Sequence, residues 1–124
     1  MTVATLAGAP SFERGGVRFR PLAVPSRGSA ELAVWALEVA PGEAGEAHRV
    51  SREEVFVLHQ GQVTATLDGQ PYHLAPGDAF ILPPDREFSL SNPGGEPAHL
   101  TVCTSKGLEG VLANGERIAP PWAQ

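Results

Sequence analysis

His48 and Glu54, six positions apart, are the residues whose types are best suited to chemistry in this chain. An imidazole titrates near neutral pH, and a carboxyl beside it makes an acid–base dyad. The same two groups can also hold a divalent first-row metal ion. Several other side chains could join them. Glu46 lies two residues before His48 and shares its face on an extended strand. His99 and Cys103 are four apart and fall on one face of a later strand. Glu87 would turn inward after a one-residue slip in register. His59 and His73 have the opposite parity to the inward positions of their strands, which predicts the surface for both. Arg49 and Arg52 could meet an anionic ligand, although solvated charge is the usual role of such residues.

Short elements must position these groups. The chain has 124 residues, enough for one domain with one core. Its 14 Gly and 12 Pro are spread between apolar runs, which implies many short elements joined by tight turns. Glu31–Val39, Glu54–His59, Gln62–Leu67, Gln70–Leu74, Ala79–Leu82, Phe88–Ser91 and Ala98–Thr104 all read as strands, with Val17–Leu22 an edge strand. Asp68-Gly69 marks a tight hairpin. About eight or nine strands with turns every 8–12 residues predict a sandwich or barrel. The chain divides into an arm (1–16), a β-barrel (17–104) and a tail (105–124) packing on the barrel or on a partner subunit. In the tail, Leu108, Val111 and Leu112 could form one helical turn, Pro120-Pro121 is extended, and Trp122 is too apolar to be left free.

Composition excludes several functions. The net charge is −5 and the nine Lys and Arg are scattered, so no basic footprint for nucleic acid exists. No apolar run approaches the ~20 residues that span a bilayer. The single cysteine forbids an internal disulfide and points to a reducing compartment. With no signal-peptide pattern at the start, the expected location is the cytoplasm.

Two motifs then carry a family resemblance. Gly42, five residues, His48, Arg49, Val50, three residues, Glu54, six residues and Gly61 follow the spacing of the first cupin motif. Gly77, five residues, Pro83, Pro84, Asp85, two residues, Phe88, three residues and Asn92 follow the second. The chain therefore resembles a small single-domain cupin. That resemblance implies an all-β fold, the double-stranded β-helix or jelly-roll barrel, and commonly a homodimer. It also implies a metal held by three histidines and a glutamate. Here two histidine positions are Val50 and Phe88, and the motif glycine before Phe88 is Asp85. Only His48 and Glu54 carry over as ligands, with Glu46 and His99 as outside candidates.

The expectation is a depleted metal site, with no cofactor or a weakly held divalent ion. Around His48 and Glu54 an apolar pocket is expected, lined by Trp35, Val50, Phe56, Leu58, Phe88 and Leu90. His48 and Glu54, buried together, could satisfy each other. The function expected is binding of a small organic ligand. The alternatives are a cupin-type isomerase, cyclase or oxygenase using the weak metal or the His48/Glu54 dyad, and a non-catalytic scaffold.

Overall fold

The structure, a computed structural model, describes residues 2–124. The chain opens with β1 (Phe12–Arg14), β2 (Val17–Pro21), β3 (Leu32–Val39) and β4 (His48–Val50). It continues through β5 (Glu54–Gln60), β6 (Val63–Leu67), β7 (Gln70–Leu74) and β8 (Ala79–Leu82). It ends with β9 (Phe88–Ser91), β10 (Ala98–Ser105), β11 (Gly110–Leu112) and β12 (Arg117–Ile118). Two six-stranded sheets face each other, in the orders β1-β2-β3-β10-β5-β8 and β12-β11-β4-β9-β6-β7. Every pairing is antiparallel. This is the jelly-roll barrel. No helix among the described residues is long and apolar enough to cross a membrane.

Strand alternation decides what points inward. On β3 the buried set is Ala33, Trp35, Leu37 and Val39; on β10 it is Ala98, Leu100, Val102 and Thr104; on β5 it is Glu54, Phe56 and Leu58. Cross-strand register puts Thr104 opposite Glu54 and Val102 opposite Phe56, so these sets share one interior. The same parity settles His99 and Cys103: both face outward, away from the barrel interior.

The motif residues do backbone work. Asp68 and Gly69 take φ of 48° and 83°, as a two-residue hairpin with a type I′ turn requires. Gly61 has φ of 91°, and a Cβ there would lie 2.9 Å from the Ala98 backbone, so only glycine fits. Asp85 takes φ of 61° at the position where the motif has glycine. Aspartate is among the few residues that tolerate this region. Asn92 is buried, donates to the carbonyls of Val39 (3.0 Å) and Glu96 (2.8 Å), and accepts from Gly94 N–H (2.9 Å). It ties β9 to β3 and to the loop before β10.

The tail departs from the expected helical turn. Leu112 and Gly110 pair with His48 and Val50 as β11, and β12 pairs with β11 in turn. Short β4 would otherwise leave a row of backbone groups unpaired, and the tail covers them. Pro121–Ala123 is a short 3₁₀ turn rather than extended chain. It seats Trp122 on the barrel's own Phe19, with ring centroids 3.7 Å apart and planes within 15°.

Candidate functional site

Between the sheets lies a cavity of about 400 Å³. That is within the ~300–1,000 Å³ of ordinary small-molecule sites. Its walls come from both sheets. β3 and β5 supply Trp35 and Phe56, β4 supplies His48 and Val50, and β9 supplies Phe88 and Leu90. Phe56 and Phe88 meet edge to face at 5.7 Å, and the His48 ring lies 4.4 Å from that of Phe88. Leu58, expected on the pocket wall, is not on it. It is fully sealed, its inward position lying two residues beyond Phe56 and deeper in the packed core. Arg49 points outward and donates to the Asp85 carbonyl at 2.8 Å, and neither it nor Arg52 lines the cavity.

Part of the wall comes from segments not anticipated as site-forming. Phe19 on β2, Leu108 and Leu112 around β11, Ile118 on β12 and Trp122 beyond it all face the cavity. Trp122 alone carried a signal, as a large aromatic in a Pro-rich end. The tail is thus a structural wall of the site.

His48 and Glu54 both line the cavity but do not pair. The His48 Nδ1 sits 2.8 Å from the Glu46 backbone carbonyl. A carbonyl only accepts, so Nδ1 carries the proton and Nε2 is left as an acceptor. Burial is the main influence on His48 and lowers its pKa below 6.5. The expected mutual satisfaction of His48 and Glu54 therefore fails: the backbone has taken the histidine's donor.

Glu54 is the unusual group. It is only 3% exposed, and burial alone pushes its pKa from the ordinary 4.5 up to about 8. No hydrogen bond or ion pair reaches its carboxyl among the described residues. The sealed, unpartnered side-chain atoms are Arg20 Nε and Trp35 Nε1 instead, so what surface the Glu54 carboxyl retains opens on the cavity.

The remaining candidates are committed elsewhere. At the rim, the Glu46 carboxylate accepts from Arg14 at 2.8 and 3.2 Å. Outside the barrel, His99 lies 3.7 Å from Glu38. His59 bonds Thr101 and His73 bonds Thr64, both on outer positions. Glu87 is exposed in the loop before β9.

Two antiparallel sheets wrapped around an interior cavity define the class, a jelly-roll barrel with room for a small molecule. Within that class the chain belongs to the cupin family: the family's cupin-domain model matches residues 35–104. The solved structures it resembles share the fold at low identity. A polyketide cyclase, RemF from Streptomyces resistomycificus, aligns at 17% identity over 96% of this chain and 82% of its own, with a TM-score of 0.76. KdgF from a Halomonas species aligns at 16% identity over 86% and 94%, with a TM-score of 0.72. An RmlC-like cupin from Shewanella frigidimarina aligns at 20% identity over 83% and 88%, with a TM-score of 0.71. No curated protein matches the chain.

A metal, common in this family, can be tested against the donor set. Working metal sites show three or more protein ligands. Val50 and Phe88 occupy two of the usual ligand positions, Glu46 is taken by Arg14, and His99 faces outward. Among the described residues no group of three His, Cys, Asp or Glu could hold an ion. The residues present do not fit a resident metal.

Proposed function

We propose that this cupin binds a small, mainly apolar organic ligand in the cavity beside His48 and Glu54. The observation that carries the reading is a cavity of about 400 Å³ with aromatic and aliphatic walls and one buried, unpartnered carboxyl. A few polar groups on an apolar wall are how such sites orient a ligand. Both tryptophans of the chain line the cavity, so occupancy reports directly in their emission. Naphthalene is expected to change that emission and raise the melting temperature. Val50→Phe, which fills the space, should abolish both effects while the chain still folds. Unchanged binding in the filled variant would place the ligand elsewhere. Elemental analysis of protein purified without chelator should find well under one metal ion per chain.

A second reading rests on the opposed pKa shifts. Burial keeps Glu54 protonated and His48 neutral, so an acid and a base share one apolar cavity near pH 7. Such a pair could serve an isomerase or cyclase that moves protons without a metal. Deuterium exchange into the methyl group of 2-acetonaphthone, followed by NMR, tests it. Glu54→Gln should stop any catalysed exchange, and an unaffected rate would rule out Glu54.

A homodimer is the assembly we propose. The outer face of the first sheet presents Val34, Val55, Val57 and the exposed Ile81. Ile81→Asp should convert a dimer to a monomer in light scattering; a wild-type monomer would refute this.

A further inference from the structure

We propose that the ligand of this cavity is an uncharged molecule that turns a carbonyl oxygen toward Glu54. This rests on the cavity being a ligand site and specifies what enters it. Glu54 begins β5, opposite Thr104 on one side and Leu82 on the other. The Thr104 hydroxyl donates to the Glu53 backbone carbonyl at 2.6 Å and makes no hydrogen bond with the Glu54 carboxyl. Leu82 offers no polar atom. The carboxyl is thus held at the edge of an apolar space with nothing to bond. A buried polar group in that position lacks a partner that a ligand can supply.

The charge of the ligand follows from the groups that face it. Among the described residues the cationic side chain on the cavity is Arg14, at the rim, and Glu46 already occupies it. Glu43 lies on the same rim. An anionic ligand would meet these carboxylates with no free cation among the described residues to offset them. A cationic ligand would have to leave water and ionise a buried carboxyl on a cavity walled by Trp35, Phe56 and Phe88, and a buried ion pair of that kind rarely recovers its desolvation cost. A carboxylic acid that keeps its proton has one O–H to give, and a carbonyl oxygen accepts it without burying charge. His48 Nε2, an acceptor on the wall supplied by the other sheet, adds room for one donor on the ligand.

The test uses four probes on one skeleton, each titrated calorimetrically: 2-ethylnaphthalene, 2-acetonaphthone, 2-naphthoate and 2-(aminomethyl)naphthalene. The ketone should bind roughly tenfold more tightly than the hydrocarbon, the yield of one neutral hydrogen bond. Glu54→Leu should erase that tenfold preference, and Glu54→Gln, whose amide also donates, should keep most of it. Melting curves establish that both variants fold. Equal binding of ketone and hydrocarbon, or a preference for the acid or the amine, would overturn the inference. If even the hydrocarbon fails to bind, the ligand-site reading itself fails.

Discussion

The barrel interior has two regions built from the same kinds of residue, one filled and one open. Leu58, Val63, Ala65, Leu82 and Leu100, from β5, β6, β8 and β10, are 0–2% exposed and none of them lines the cavity. Trp35, Val50, Phe56, Phe88 and Leu90 face inward from neighbouring positions and surround it. Side-chain parity is the same in both regions. The difference lies in what stands opposite. On the second sheet the filled region is walled by Val63 and Ala65 of β6, which are 0–1% exposed. The open region is closed by the short β4 and by a tail that reaches it through loops.

Truncations separate the regions most sharply. Leu58→Ala should cost about 2–5 kcal/mol, because the sealed site cannot collapse around the missing atoms. Leu90→Ala, on the cavity wall, should cost less than half as much, since part of its surroundings is already empty. Denaturant unfolding of the two variants checks this. Equal losses would mean that the open region is as firmly packed as the filled one.

Glu54 marks the open region by its response to pH. In the unfolded chain its carboxyl ionises from about 4.5, but in the folded chain burial keeps the proton until about 8. Across that window the unfolded state binds fewer protons, so the stability Glu54 contributes is complete below 4.5 and is lost as pH rises to 8. His48 acts oppositely: its lowered pKa makes stability rise with pH up to about 6.5. Between pH 6.5 and 8 the Glu54 slope stands alone of the two, and stability should fall by about 2 kcal/mol. Glu54→Gln should flatten the slope. A wild-type profile already flat in that range would mean that Glu54 is hydrated or paired in solution.

How far these regions were legible in the sequence follows the same division. Strand alternation and turn residues made the barrel, the hairpin and the inward positions of β5 and β9 readable, because each rests on local backbone rules. Val50 and Phe88 were readable as interior from the family resemblance instead, because apolar residues stand where two inward-facing motif histidines are expected. What escaped was non-local. Parity cannot tell whether the space in front of a residue is filled, so Leu58 and Phe56 looked alike. Nor does it show that a backbone carbonyl two residues away would take the His48 proton. The tail's pairing with β4 depends on an unpaired edge far away in the chain, and its short strands look like a helical turn on their own.

Trp122 tests the tail's part in the open region. Its stack on Phe19 joins the last residues of the chain to β2 across the cavity wall. Trp122→Leu keeps apolar bulk but removes the stack, and should cost on the order of 1 kcal/mol. The same variant should weaken naphthalene binding, because one wall loses its flat face. Leu58→Ala should leave the cavity walls in place and change binding less, provided the chain stays folded. If Trp122→Leu lowers stability without touching binding, the tail is only a cover.

The smallest effect belongs to the rim. Arg14 and Glu46 are about half exposed, at 44% and 56%, and bridge β1 to the loop just before the strand carrying His48. Their hydrogen bond lowers the pKa of Glu46, but solvent screens a pair this exposed, and such pairs contribute about 0–1 kcal/mol. Glu46→Gln should therefore leave the melting temperature nearly unchanged, and any difference should shrink at high salt. Its effect on binding is more telling. Freed from Glu46, Arg14 becomes an unoccupied cation at the entrance, and 2-naphthoate should gain affinity in the variant relative to wild type. No gain would mean that Arg14 turns away from the cavity once released, and that the rim does not select ligands by charge.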